Sequence, residues 1–280
     1  MKNRQKIKVV VIVLACVLLD IVMHVVTKSY STMPENPNFS RLAKLLGTEI
    51  TVSLWALISF STSAYVYCLI RNIIPGEGIV KGLRYGSAIA LLWLFAMLEG
   101  VSLFGNPVIN EFVVGLSDAI PVFLMGLLLS MQKFEEQGNT VVKPVTFERK
   151  MVIVSIFSGI FLIGRYAAYF TGLIRSGYQT NSLYTFLWTL LMGSCIGVLC
   201  ILLEKDGDTP SLECRAVKFG ILIFGANWAV FLVFMPLLFS GYIVDVLTRI
   251  AIDIALVTIG YFLAFRLESN SSSVEISTFL

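Results

Sequence analysis

Long apolar runs, each about twenty residues and broken by short polar stretches, dominate the chain. They fall at 8-27, 49-71, 85-105, 112-131, 151-173, 183-203, 216-239 and 242-265. An α-helix needs about 20 apolar residues to cross the hydrocarbon core of a bilayer, so the pattern predicts eight crossings. Turn-forming or charged clusters separate them: Met33-Pro34-Glu35-Asn36-Pro37, Pro75-Gly76-Glu77-Gly78, Gly105-Asn106-Pro107, the 133-150 stretch, Arg175-Ser176-Gly177, Glu204 to Pro210, and Ser240-Gly241. The runs are continuous rather than alternating, which favours helices over a barrel. The expected fold is therefore all-α, a polytopic membrane protein.

Composition agrees. Of 280 residues 57% are hydrophobic and 14% charged, with a mean hydropathy of +0.84, against roughly 25% charged residues in ordinary soluble domains. The net charge of +3 does not mark a nucleic-acid binder, because the basic residues form no stripe on a soluble face and sit between the apolar runs. Cytoplasmic loops retain Lys and Arg. With the N-terminus inside, fifteen basic residues fall on the inner side and four (Lys28, Arg41, Lys44 and Arg175) on the outer. The expected orientation places both termini in the cytoplasm of a bacterial-type inner membrane. The first run follows Lys2, Arg4, Lys6 and Lys8 as a signal peptide would, but it continues past Cys16 through Val26, which suits a retained helix.

Shifted by 134 residues, Lys81-Gly82-Leu83-Arg84-Tyr85-Gly86 lies over Arg215-Ala216-Val217-Lys218-Phe219-Gly220, Gly126 lies over Gly260, and Asp118 falls one residue from Asp253. This predicts two parallel four-helix repeats: a first half over 1-132, a cytoplasmic linker over 133-150, a second half over 151-268, and a disordered tail over 269-280. The basic, aromatic, glycine sequence suits an interfacial anchor with a close helix contact. The segment from Gly82 to about Leu129 resembles a small, functionally uncharacterised bacterial inner-membrane family of four-helix proteins with a G-x-R-[FY]-G entry to one helix and an aspartate midway through the next. Arg215 to Phe265 is a degenerate echo, with Ala216 and Lys218 departing from the pattern. The resemblance implies family membership and no activity.

Ionisable groups inside a span cost about 2.5–3.5 kcal/mol each on insertion scales, so they need partners or a purpose. The candidates for binding a solute or ion are Asp20, His24, Glu99, Asp118, Arg165, Arg249 and Asp253. Asp20 and His24, four apart, share a helix face, as do Asp245, Arg249 and Asp253. Two readings stand open. In one the groups line a polar cavity between the halves; in the other they pair structurally, for example Glu99 with Arg165 or Asp118 with Arg249. Glu111 and Asp245 lie near enough to an interface to be solvated. Pro121 and Pro236 are expected to disturb their helices, while Asn227 and the serines of the second span read as interhelical glue.

The five cysteines and single histidine supply no zinc set, and no P-loop, nucleophile elbow or soluble catalytic domain is present. No enzymatic activity, cofactor or metal is expected. The functional expectation is a permease moving a small solute or ion between the halves. The alternative is a non-catalytic subunit or scaffold that binds a partner membrane protein, a second copy or lipid.

Overall fold

The computed structural model describes residues 3–32, 37–132, 146–204 and 211–278; side chains are described as far as Leu267. Eight helices are long and apolar enough to cross a membrane: α1 Asn3–Val26, α2 Thr48–Ile70, α3 Ile79–Phe104, α4 Val108–Ser130, α5 Phe147–Phe170, α6 Ser182–Leu203, α7 Leu212–Leu238 and α8, whose apolar span is Ile243–Leu267. The chain is an all-α, multi-pass membrane protein. No strand occurs among the described residues beyond one isolated bridge, Phe39 to Phe239.

Local chemistry sets the helix ends. Thr146 caps α5, its hydroxyl accepting the Arg149 amide, and Ser211 caps α7 through the Cys214 amide. Gly105 ends α3 in the left-handed conformation at φ 71°, a site that a side chain would strain, and Pro107 then starts α4. Most of the stretch expected as a linker, 133–145, lies outside the described residues. Its last four, from Phe147, already belong to α5, because the Thr146 cap starts the helix there. At the other end α8 continues to Thr278, so the tail expected to be disordered from 269 has helical backbone through 278. Propagating an established helix is far easier than nucleating one.

Pro121 sits inside an uninterrupted α4. By contrast α7 is irregular: a π-helical stretch over Lys218–Gly225 leads into Ala226–Leu232, and Val233 interrupts the helix three residues before Pro236. Proline there removes an amide donor from the ladder. A matching interruption occurs in α3 at Leu98. The two residues have closely similar backbones, φ −61° and ψ −13° at Leu98, φ −61° and ψ −16° at Val233.

Helix neighbours follow a reciprocal scheme. In the first half α1 lies against α2 and α4, and α3 against α4; in the second α5 lies against α6 and α8, and α7 against α8. Between the halves α2 meets α7 and α3 meets α6, with α3 also touching α7. Exchanging each helix for the one four places away maps these contacts onto one another, while a smaller contact of α2 with α4 has no counterpart of its size between α6 and α8. Hydrogen bonds repeat the exchange. The Trp55 indole of α2 donates to the Val230 carbonyl of α7 at 2.7 Å, and the Trp188 indole of α6 donates to the Phe95 carbonyl of α3 at 2.7 Å.

Close backbone approach holds α3 to α4. A Cβ on Gly126 would stand 2.7 Å from the Gly86 Cα, and one on Gly86 would stand 2.6 Å from the Phe123 carbonyl oxygen. Such small-residue contacts are how helices associate where lipid supplies no hydrophobic driving force. Around the junction of halves lies an aromatic core: Trp93, fully buried, meets Phe60 edge-on at 5.4 Å between centroids and Phe231 at 5.7 Å. Asn227 ties this region together. It accepts from the Ser63 hydroxyl at 2.6 Å and donates to the Ile223 carbonyl at 2.7 Å.

Candidate functional site

The seven candidate residues separate into two clusters of opposite electrostatic character. The first lies at the junction of the halves and joins Glu99 of α3 to Arg165 of α5 and Arg249 and Asp253 of α8. Arg165 grips Asp253 with two parallel bonds, Nε to Oδ1 and Nη2 to Oδ2, both 2.6 Å, and reaches Glu99 Oε1 through Nη1 at 3.0 Å. The fork geometry of guanidinium matches a carboxylate in this way. The same guanidinium stacks on Phe161 and Trp188, 5.1 and 5.2 Å from their centroids. Arg249 also bonds Glu99, and it reaches Asp245 Oδ2 at 3.3 Å one turn away. The Trp228 indole completes the coordination of Asp253 at 2.8 Å.

Arg165, Arg249 and Asp253 are at most 2% exposed and Glu99 is 5% exposed. Every one of them is paired, and in apolar surroundings that pairing is what makes their burial tolerable. The expected Glu99–Arg165 pair is present. The expected Asp118–Arg249 pair is not: Arg249 projects from α8 onto Glu99 and Asp245, whereas α4 turns Asp118 toward α1 inside the first half. A single polar pathway between the halves, lined by all seven groups, is likewise not what the helices build, because α1 and α4 hold three of them apart from the junction.

That second cluster is Asp20, His24 and Asp118. His24 Nε2 lies 3.1 Å from Asp118 Oδ1 and 4.0 Å from Asp20 Oδ1. One ligand atom from each of the three residues falls within 4.8 Å of the others. Asp20 and Asp118 are 1% and 2% exposed, while the His24 side chain is 27% exposed. Two carboxylates thus face one imidazole, with no guanidinium or ammonium ion-paired to them among the described residues. Helical spacing accounts for the Asp20–His24 pair, since residues four apart stack on one face; the packing of α1 on α4 adds Asp118.

A polar seam continues from this cluster toward the α3–α4 loop. Thr27 and Ser117 hydroxyls bond across α1 and α4 at 2.9 Å. Beyond them Glu111 accepts from Asn106 at 2.5 Å and Thr32 at 3.2 Å. Glu111 is only 4% exposed, so it is held by side chains rather than solvated as expected from its place near the helix end. Gly100 of α3 makes room for it: a Cβ there would stand 2.6 Å from the Glu111 carboxyl carbon.

Sequence reasoning did not single out Ser117, Thr27 or Trp228 as site residues. Trp228 carried a signal, since a buried indole N–H needs an acceptor; the hydroxyls carried none, because which faces of α1 and α4 meet is set by packing. Comparison of the chain with protein-family models, with curated proteins and with solved structures finds no match in any of the three.

Proposed function

We propose that the protein is a permease for a small cation, built from a duplicated four-helix unit, with Asp20, His24 and Asp118 as the binding element. One observation carries this reading. Both halves have an aspartate on their fourth helix meeting a base from their first: Arg165 with Asp253 in the second half, His24 with Asp118 in the first. In the second half the base is a permanent cation and the pair is closed. In the first it is an imidazole, joined by a further carboxylate, Asp20; the two bases stand at different levels of their helices, 141 residues apart against 135 for the two aspartates. Intramembrane acids that are not neutralised by fixed bases mark ion pathways, so the first half is the exchangeable site and the second is the fixed support.

The duplication is supported by the reciprocal helix neighbours, by the matched interruptions at Leu98 and Val233, and by the paired indole bonds from Trp55 and Trp188, each set 133 to 135 residues apart. Parallel repeats of this kind are a common transporter plan.

The test is cation flux into proteoliposomes containing the purified protein, with Asp118→Asn as the variant. Flux that Asp118→Asn abolishes while the protein stays monodisperse supports the permease. Absence of flux with every monovalent and divalent cation offered, together with co-purification of a stoichiometric membrane partner, would instead establish the scaffold reading.

A further inference from the structure

We infer that Asp20, His24 and Asp118 form a binding site for a divalent transition-metal ion; the assignment names the cation class of the permease proposed above and rests on that reading only for its physiological role. Two carboxylates and one imidazole nitrogen are a mixed oxygen and nitrogen set, which suits ions such as Mn²⁺, Fe²⁺, Co²⁺ or Zn²⁺; an imidazole ligand disfavours Mg²⁺ and Ca²⁺, which take oxygen ligands.

A tetrahedral ion bound at about 2.1 Å holds neighbouring ligand atoms about 3.4 Å apart. The 3.1 Å between His24 and Asp118 and the 4.0 Å between His24 and Asp20 lie on either side of that value, and all three ligand atoms lie within 4.8 Å of one another.

An independent observation points to a ligand. Asp20 is 1% exposed, and among the described residues no N–H or hydroxyl donor reaches either of its carboxylate oxygens; the carboxyl group beside it is that of Asp118. Its titratable neighbours in the cluster are the His24 imidazole and the Asp118 carboxyl group. Two acids buried side by side in this way must either share a proton or hold a cation. A cation between the two acids offsets the cost of burying their charge, as the Arg165 guanidinium does for Asp253 in the other half. The His24 side chain, 27% exposed and two residues from the end of α1, is the least enclosed of the three. The Thr27–Ser117 hydroxyls and the Glu111 carboxylate are the polar groups between this cluster and the α3–α4 loop.

The experiment uses the full chain, purified without a histidine tag and stripped with a chelator. Co²⁺ titration is followed by visible absorption, and Cu²⁺-loaded protein is measured by electron spin-echo spectroscopy. The chain contains one histidine, so imidazole modulation of the Cu²⁺ echo reports His24 alone. The expected result is one Co²⁺ per chain, imidazole modulation in the native protein, and a loss of affinity of at least about 100-fold in Asp20→Asn and Asp118→Asn, more than outer-sphere changes produce.

Native protein that takes up no Co²⁺, or shows no imidazole modulation, overturns the site whether or not any variant folds. Affinity unchanged in correctly folded variants overturns it equally. Metal binding without flux keeps the site and refutes transport. Flux of protons or monovalent ions by protein that binds no Co²⁺ keeps transport and refutes the site.

Discussion

Replacing Arg165 by Leu removes the centre of the ion-pair network. The change takes away two 2.6 Å bonds to Asp253 and a 3.0 Å bond to Glu99, together with the stacking on Phe161 and Trp188. Asp253, fully buried, then keeps only the Trp228 indole, while Glu99 keeps Arg249. Breaking a buried pair from one side costs about 3–5 kcal/mol, chiefly through the charge left behind. At about 2–4 °C per kcal/mol for a chain of this size class, the midpoint of thermal unfolding should fall by roughly 6–20 °C. Thermal exposure of the buried thiols of Cys16, Cys195 and Cys200 to a fluorogenic maleimide reads the transition, with the exposed Cys214 replaced by Ser to lower the baseline. The decisive comparison is the double variant Arg165→Leu with Asp253→Leu. If uncompensated charge is the cause, the double variant should recover most of the lost stability. A double variant no more stable than Arg165→Leu would refute the reasoning and place the effect in lost packing around Phe161 and Trp188.

Trp55→Phe and Trp188→Phe each delete one indole bond to a backbone carbonyl across the halves, so each should lower stability by about 0.5–1.5 kcal/mol and the two should add; strongly unequal losses in the same thiol-exposure assay would contradict the equivalence of the two contacts. Gly86→Val forces α3 from α4 and should destabilise by about 1–3 kcal/mol, whereas the same change at Gly159, where a Cβ would meet nothing within 4 Å, should be mild. Reporter fusions after residue 207 are expected to be active on the cytoplasmic side and fusions at 176 on the opposite side; the reverse pattern would overturn the orientation drawn from the basic residues.

The crossings were legible because membrane thickness sets a length that the chain must repeat, and all eight helices fall within a few residues of the apolar runs. The intramembrane charges were legible as a set for the same reason, each standing out against its span. Their partners were not. Arg249 is equally able, by sequence, to meet Asp118 or Glu99, and the choice follows from α8 facing the junction while α4 faces α1, a matter of ridge and groove that residue spacing does not encode. The irregular turns of α7 also left little trace, since Lys218 to Gly225 reads as ordinary apolar helix and only Pro236 signalled disturbance nearby. Glu111 shows the same limit. Its position near a helix end suggests water, but Gly100, Asn106 and Thr32 enclose it.

The crossed indole bonds reach further than stability. Each four-helix unit carries both a hook, the tryptophan of its second helix, and an eye, the carbonyl of its third. A surface that bears both complementary parts can close on a copy of itself about a twofold axis, the defining property of an isologous contact. On the duplication proposed above, a single four-helix unit would bear both parts, and a second copy of it could close the same pair of bonds as a symmetric dimer.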